Sequence, residues 1–169
     1  SRKVMKDRNY FGCMMVECGD ADAMISGLAT NYPDTIRPAL QTIGTEEGVT
    51  KIAGMYLMLT KKGPLFLADT TVNFNPTAEE LAEITLMVAK EVRNFNIIPR
   101  IAMLSYSNFG SSNSPEAALV AKARKIVKEK MPTLLVDGEM QASVAFNKEL
   151  IKENYPFSEL ADQEVNTLI

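Results

Sequence analysis

The sequence contains no histidine and no tryptophan, and only two of its 169 residues are cysteines. Without histidine, the chain lacks an imidazole base, a Ser-His-Asp triad and an imidazole ligand for a metal. Any catalysis would have to use carboxylates, lysine, arginine, hydroxyls or helix dipoles. Cys13 and Cys18 lie in a predicted helix with no second pair to complete a zinc site, so we expect reduced thiols in the core.

The chain also lacks a large excess of charge and any long apolar run. Its formal net charge is -3 with no basic tail, which argues against nucleic acid as a partner. No run reaches the roughly 18 apolar residues of a membrane span, and no signal-peptide core follows the charged start. We therefore expect a cytoplasmic protein without a membrane partner. A hydrophobic content of 46% is sufficient for one globular domain with its own core.

Helix and strand patterns alternate along the chain. Apolar spacing predicts helices over residues 9–18, 33–44, 77–95, 114–127 and, more weakly, 142–152. Residues 49–60 and 64–74 predict a hairpin, and residues 101–107, 133–136 and 165–169 predict further strands. Thr77 and Glu80 form a capping-box pattern at one helix start. The alternation predicts an α/β fold, a three-layer α/β/α sandwich with a mixed, largely parallel sheet.

Polar residues stand where apolar runs end and helices begin. Carboxyl ends of parallel strands lie along one edge of a sheet, and helix N-termini there favour an anion. We therefore expect one edge to gather Ser26, Thr30, Asn31, Asp69, Thr70, Thr71, Ser105, Ser107, Asn108, Asp137 and Glu139.

Several of these polar residues also have a purely structural interpretation. Arg37, in the first turn of a predicted helix, could hold the anion in bidentate fashion or pair with Asp34 or Asp69 at the surface. Asp69 and Asp137 could serve only to orient loops or cap backbone N–H groups. Residues 110–114, Gly-Ser-Ser-Asn-Ser, resemble a phosphate-cradling loop but lack the Gly-Lys-Ser/Thr ending of a P-loop.

Four blocks of sequence resemble phosphotransacetylase, also called phosphate acetyltransferase. They are residues 23–27, 36–45, 75–84 and 136–141, and they occur in order over nearly the whole chain. The resemblance implies a complete domain of two α/β subdomains with coenzyme A in the cleft between them. This chain would be a fragment covering mainly the second subdomain. Arg37 matches an arginine near the acetyl phosphate, whereas the family's catalytic residues would lie beyond Ile169, so none is assigned here.

Other blocks resemble the phosphotransacetylase-like C-terminal domain of bacterial NADP-dependent malic enzymes. They are residues 7–12, 60–66, 105–112 and 155–158. Phosphotransacetylases usually have a Thr-Lys pair where this chain has Asn108-Phe109, and a Thr-Thr pair near Thr30-Asn31. The resemblance to the malic enzymes implies a domain that binds acetyl-CoA as a regulator and supports oligomerisation. Malate, NADP and a divalent metal would bind a separate N-terminal part.

Three functions are therefore open. The first is a regulatory and oligomerisation domain of a malic enzyme, the second an active phosphate acetyltransferase, and the third a self-associating domain without a ligand. The hairpin edge and the family resemblance predict a homo-oligomer. The expected ligand is acetyl-CoA, coenzyme A or an acyl phosphate, and we expect no metal or further cofactor in this segment. The predicted ligand-binding residues are Arg37, Ser26, Thr30, Asn31, Ser105 and Asn108.

Overall fold

The computed structural model describes residues 3–49 and 51–169. Ser1 and Arg2 of the charged start, and Thr50 of the first predicted hairpin strand, lie outside the described residues. The chain forms two compact units, Ser1–Thr50 and Lys51–Ile169.

The first unit contains a short 3-10 helix, Val4–Lys6, and two α-helices, α1 (Arg8–Glu17) and α2 (Tyr32–Thr42). Asp7 caps α1 and Asn31 caps α2, because each side chain accepts hydrogen bonds from backbone N–H groups of the first turn. Both predicted helices are therefore present. Residues 21–26, the apolar run that ends at Ser26, form no strand, so Ser26 does not stand at the end of a strand as the polar-edge prediction requires.

Burial in the first unit differs from the sequence pattern. The predicted apolar face of α2 includes Leu40 and Ile43, but both side chains are exposed, and Pro38 is the buried residue of this helix. Cys13 is buried in α1, and burial raises the pKa of its thiol. Cys18 is a free thiol too, but it is exposed, so only one of the two cysteines lies in the core.

The second unit is built around a five-stranded sheet. Its strands are β1 (Met55–Thr60), β2 (Gly63–Ala68), β3 (Arg100–Leu104), β4 (Leu135–Met140) and β5 (Thr167–Leu168). The strand order is β1-β2-β5-β3-β4, with β1 antiparallel to β2 and every other pair parallel. The predicted hairpin and the mixed, largely parallel sheet are confirmed.

Helices cover both faces of this sheet. Ile101 and Met103 of β3 pack in one cluster with residues of α3 (Ala78–Asn94) and α4 (Pro115–Lys130). Ala102, between them, packs on the other face with α5 (Ala142–Ala145) and α6 (Lys148–Asn154). This alternation is the two-residue period of a strand that is buried on both sides. The predicted α/β/α sandwich is therefore the fold of the second unit.

The helix α3 begins at the predicted capping box. Thr77 Oγ1 accepts from the backbone N–H of Glu80 at 3.2 Å, and Glu80 Oε2 accepts from the N–H of Thr77 at 2.9 Å. Its buried face includes Leu81, Ile84, Val88 and Val92 at three- and four-residue spacing. Among the described residues, no helix is long and apolar enough to cross a membrane.

Some predicted boundaries are wrong. The strand predicted at residues 133–136 runs on to Met140, so Asp137 and Glu139 lie within β4 and not beyond its end. The helix predicted over 142–152 is instead the pair α5 and α6. Asn147 separates the two because its side chain accepts from the backbone N–H of Leu150 and starts a new helix.

Candidate functional site

The loop of residues 105–114 joins the carboxyl end of β3 to α4 and is held together by its own serines. Ser107 Oγ accepts from the N–H of Ser112 at 3.1 Å and lies 3.1 Å from Ser111 Oγ. Ser111 Oγ in turn accepts from the N–H of Asn108 at 2.9 Å. Ser114 caps α4 by accepting from the N–H of Ala117 at 3.2 Å. The loop is therefore an ordered polar turn at the predicted edge of the sheet.

Three backbone amides of this loop are already occupied. The N–H of Gly110 donates to Glu139, that of Ser111 to the carbonyl of Asn108, and that of Ser112 to Ser107 Oγ. A phosphate cradle needs several unpaired amides pointing at the ligand. Three of the amides that residues 110–114 would need as phosphate donors are therefore not free, and the segment differs from a phosphate-binding loop in this respect.

Glu139 ties the loop to β4. Its side chain is 3% exposed, and Oε1 accepts from Ser107 Oγ at 2.9 Å and from the N–H of Gly110 at 2.6 Å. Its main-chain carbonyl accepts from the N–H of Phe109 at 2.8 Å. Because a carboxylate accepts only, the Ser107 hydroxyl donates to Glu139, and the Ser111 hydroxyl must then donate to Ser107. The direction of each hydroxyl in this chain is thereby fixed.

Gln141 makes a second connection between the loop and the end of β4. Its backbone N–H donates to Asn108 Oδ1 at 2.8 Å, and its Nε2 donates to the carbonyl of Tyr106 at 2.7 Å. Phe109 lies beside these contacts with a φ of 47°, and its ring centre lies 4.7 Å from that of Tyr155. The loop is thus fixed by polar contacts on one side and by aromatic packing on the other.

Two of the predicted ligand-binding residues, Ser105 and Asn108, lie in this loop. Ser105 follows β3, its N–H donates to the carbonyl of Met140 at 2.9 Å, and its Oγ accepts from the N–H of Ser107 at 3.3 Å. Asn108 uses its Oδ1 on Gln141, as described above. The structure therefore places both residues at the carboxyl end of β3, as the sequence predicts.

Asp137 has a structural environment. It is 2% exposed, its Oδ1 lies 3.1 Å from Arg124 Nε, and that nitrogen makes no hydrogen bond. Its Oδ2 accepts from Ser158 Oγ at 2.8 Å and from the N–H of Glu159 at 3.0 Å. These contacts join β4, α4 and the segment after α6. The interpretation of Asp137 as a loop-orienting residue fits them.

Asp69, after β2, also orients its own loop. Its φ of 54° is left-handed, and its Oδ1 accepts from Asn73 Nδ2 at 2.9 Å. Its backbone N–H donates to the carbonyl of Gly54 at 3.1 Å. The adjacent hydroxyls of Thr70 and Thr71 lie 3.3 Å apart.

The other predicted ligand-binding residues lie in the first unit, around the start of α2. Ser26 Oγ donates to Asn9 Oδ1 at 2.5 Å, and Thr30 Oγ1 lies 2.7 Å from Thr35 Oγ1. Asn31 is the N-cap of α2. These contacts fix the loop that enters the helix.

Arg37 is available for a ligand at small cost. Its Nη1 lies 3.2 Å from Asp34 Oδ1, and the two side chains are 58% and 51% exposed. An exposed pair of this kind contributes about 0–1 kcal/mol. The surface pairing anticipated from the sequence is present, and it leaves the guanidinium able to turn towards another anion.

A cavity of about 380 Å³ lies elsewhere, at the amino ends of β2 and β3. Its lining includes Pro64, Leu65, Arg100 and Lys148. Because Pro64 and Arg100 stand at the amino ends of β2 and β3, the cavity is at the opposite edge from Ser105 and Asn108. Within residues 3–49 and 51–169, no group of three or more His, Cys, Asp or Glu side chains is arranged to hold a metal ion.

A largely parallel sheet with polar loops at its carboxyl edge places this chain among the open-sheet α/β proteins, the class in which ligand sites lie at that edge. A family model described as phosphate acetyl/butaryl transferase matches residues 1–169. The chain belongs to this family.

The most similar relatives include both kinds of protein indicated by the sequence blocks. Phosphate acetyltransferase of Bacillus subtilis is 44% identical over 160 residues, which cover 95% of this chain and 50% of that protein. NADP-dependent malic enzyme of Escherichia coli is 41% identical over 159 residues, which cover 94% of this chain and 21% of that protein. The chain therefore spans half or less of the length of these relatives.

A solved structure shows the same fold. A phosphotransacetylase from Streptococcus pyogenes superposes with a TM-score of 0.87 at 40% identity, covering 99% of this chain and 51% of that one. The likeness supports the α/β fold with its mixed sheet.

Sequence reasoning missed the role of Glu139. The sequence groups it with the polar edge residues but assigns it no ligand or loop-holding function. Its donors, Ser107 and Gly110, precede it by 32 and 29 residues, so no local spacing connects them. An acid two residues after Asp137 in an otherwise buried strand is the one available signal.

Proposed function

We propose that this chain is the phosphotransacetylase-like regulatory and oligomerisation domain of an NADP-dependent malic enzyme, and that it binds acetyl-CoA. The parent reaction is the oxidative decarboxylation of malate to pyruvate. NADP and a divalent metal belong to the separate catalytic part of that enzyme.

The observation that carries this proposal is the use made of Asn108 and Phe109. Asn108 holds the backbone of Gln141, and Phe109 packs against Tyr155 and Phe157. These positions carry a Thr-Lys pair in the usual phosphotransacetylase pattern. Here an aromatic ring that packs internally replaces a lysine, so this position brings no cation to an acyl phosphate. Loss of that cation favours ligand sensing over acetyl transfer.

A second function, active phosphate acetyltransferase, is favoured by a different observation. The identity to the Bacillus subtilis acetyltransferase, 44%, is slightly higher than the 41% identity to the Escherichia coli malic enzyme. In this function, the protein would orient the coenzyme A thiol towards acetyl phosphate and stabilise the developing charge.

Both functions use the same proposed ligand contacts. In the first unit these are Arg37, whose side chain is exposed, and the hydroxyl and amide groups of Ser26, Thr30 and Asn31. In the second unit they are Ser105 and Asn108, at the carboxyl end of β3. Hydroxyls, amides and a guanidinium are suited to phosphate and carbonyl oxygens.

Thermal unfolding of the full-length protein tests ligand binding. A ligand that binds only the folded state stabilises it by about 2.7 kcal/mol at 100 times its Kd, so saturating acetyl-CoA should raise Tm clearly. Arg37→Ala should reduce the shift. Arg93→Ala, an exposed arginine in the last turn of α3, is the matched control and should leave the shift unchanged. An absent shift in the wild type would contradict both functions.

Incubation of the same protein with acetyl phosphate and coenzyme A separates the two functions. The regulatory function predicts an acetyl-CoA effect on malate oxidation and no formation of acetyl-CoA. Formation of acetyl-CoA above background would instead establish the second function.

A further inference from the structure

Glu139 is a buried carboxylate that accepts hydrogen bonds from one loop. It is 3% exposed, and within residues 3–49 and 51–169 no lysine or arginine lies within 4.0 Å of its carboxylate as an ion-pair partner. Burying a charge without compensation costs several kcal/mol. The donors that compensate it are Ser107 Oγ and the N–H of Gly110.

These two donors lie on either side of Asn108. Ser107 is 1% exposed and also receives the N–H of Ser112, so its hydroxyl connects the carboxylate to the second half of the loop. The N–H of Phe109 donates to the Glu139 carbonyl, which adds a third contact to the same residue. One glutamate thus fixes the loop at three points, residues 107, 109 and 110.

We propose that Glu139 is a positioning residue for the ligand-binding loop, acting through Ser107 and Gly110 to hold Ser105 and Asn108 in their binding geometry. This inference rests on the proposed function, because the loop is taken to contact the acyl ligand. Charge-assisted hydrogen bonds are roughly twice as strong as neutral ones, which explains why a carboxylate serves better than an amide here.

Asp137 provides a matched control on the same strand. It is equally buried, but its contacts go to Arg124, Ser158 and Glu159, away from the loop. Asp137→Asn should therefore lower stability without loosening residues 105–112. If this variant fails to fold, Ser158→Ala makes a milder change in the same contacts.

Hydrogen exchange in the unliganded full-length protein tests the positioning first. Glu139→Ala should speed exchange in residues 105–112 by about tenfold or more, because a hydrogen bond to a charged group contributes about that factor. Glu139→Gln keeps an acceptor oxygen and should have a smaller effect. Ser107→Ala removes one donor and replaces Glu139→Ala if that variant does not fold. Exchange at the wild-type rate in these variants would overturn the proposal.

Isothermal titration with acetyl-CoA then tests the link to function. Affinity should fall about tenfold or more in Glu139→Ala, recover in part in Glu139→Gln and stay at the wild-type value in Asp137→Asn. Equal affinity of Glu139→Ala and wild type, or an equal loss in Asp137→Asn, would overturn the positioning role while leaving the proposed function intact. A wild-type protein that binds no acetyl-CoA, coenzyme A or acetyl phosphate would overturn the proposed function together with the ligand role of Glu139. In that case, the hydrogen-exchange rates of residues 105–112 would still decide whether Glu139 holds the loop.

Discussion

Two acidic residues on one strand show how much of a side chain's role can be predicted from its residue type alone. Asp137 and Glu139 are both buried, yet one pairs with Arg124 and the other accepts from the loop after β3. The sequence indicated that both belong to a polar edge and that Asp137 could be structural. It could not separate their roles, because their partners come from distant segments brought together by the parallel pairing of β3 and β4.

Gly138, between these acids, is a position where only glycine fits. Its φ is +138°, and a Cβ there would lie 2.4 Å from the backbone oxygen of Met103. Overpacking in a core costs about 1–3 kcal/mol, and a left-handed φ adds to that cost. Gly138→Ala should therefore lower the free energy of unfolding by at least about 2 kcal/mol.

Urea denaturation of the full-length protein measures this loss. Gly110→Ala is the matched control, because Gly110 has a φ of +83° but a Cβ added there would meet no atom within 4 Å. It should cost only about 1 kcal/mol, the penalty of the backbone conformation alone. Equal losses in the two variants would show that the approach of Met103 contributes nothing.

At the scale of elements, the starts of α3 and α4 could be predicted from the sequence, whereas the ends of β2 and β4 could not. Thr77 and Ser114 cap α3 and α4 as the sequence indicates, because a cap uses groups within three residues. The apolar run of residues 64–74 predicts a longer strand, but β2 ends at Ala68 because Asp69 adopts a left-handed φ of 54°. β4 continues through polar Asp137 and Glu139 because both find buried partners. Strand limits thus depend on tertiary contacts.

The start of α3 should also show a defined pH response. The pKa of the Glu80 carboxyl is lowered, first by its hydrogen bond with Lys51 and then by the backbone N–H of Thr77. A lowered folded-state pKa means that the stabilisation is present above the unfolded value of about 4.5 and is lost as the pH falls through the folded value.

Carbon-13 NMR titration of the glutamate side chains measures this pKa directly. Lys51→Met should move the Glu80 midpoint back towards 4.5. Lys122→Met is the matched control, because Lys122 lowers the pKa of the neighbouring Glu79 by the same kind of hydrogen bond. It should shift Glu79 and leave Glu80 in place. A Glu80 midpoint unaffected by Lys51→Met would assign the lowering to the helix cap alone.

At the scale of the whole molecule, the two edges of the sheet differ. β4 is buried along almost its whole length, whereas β1, at the other end of the strand order, exposes nearly all of its side chains. Tyr56, Leu57, Met58 and Leu59 are 53%, 41%, 48% and 86% exposed. An exposed apolar edge strand can pair with another chain through its unpaired backbone groups. The proposed homo-oligomer would therefore use β1.

A two-fold axis at Met58 of β1 would place Met58 of one copy opposite Met58 of its partner, since an axis perpendicular to the sheet relates each residue to its own counterpart. Met58→Lys would then put two like-charged lysines near the axis and an ammonium group into a desolvated contact, both of which disfavour pairing. We expect sedimentation velocity of the full-length protein to show at least about tenfold weaker association.

Phe74→Lys is the matched control, because Phe74 is 91% exposed but lies in the loop before α3. A Met58→Lys oligomer as strong as the wild type would exclude β1 from the interface, and a monomeric wild type would refute the proposed oligomer itself. Equal weakening by Phe74→Lys would assign the effect to net charge, because both variants add one positive charge and only one adds it to the edge strand.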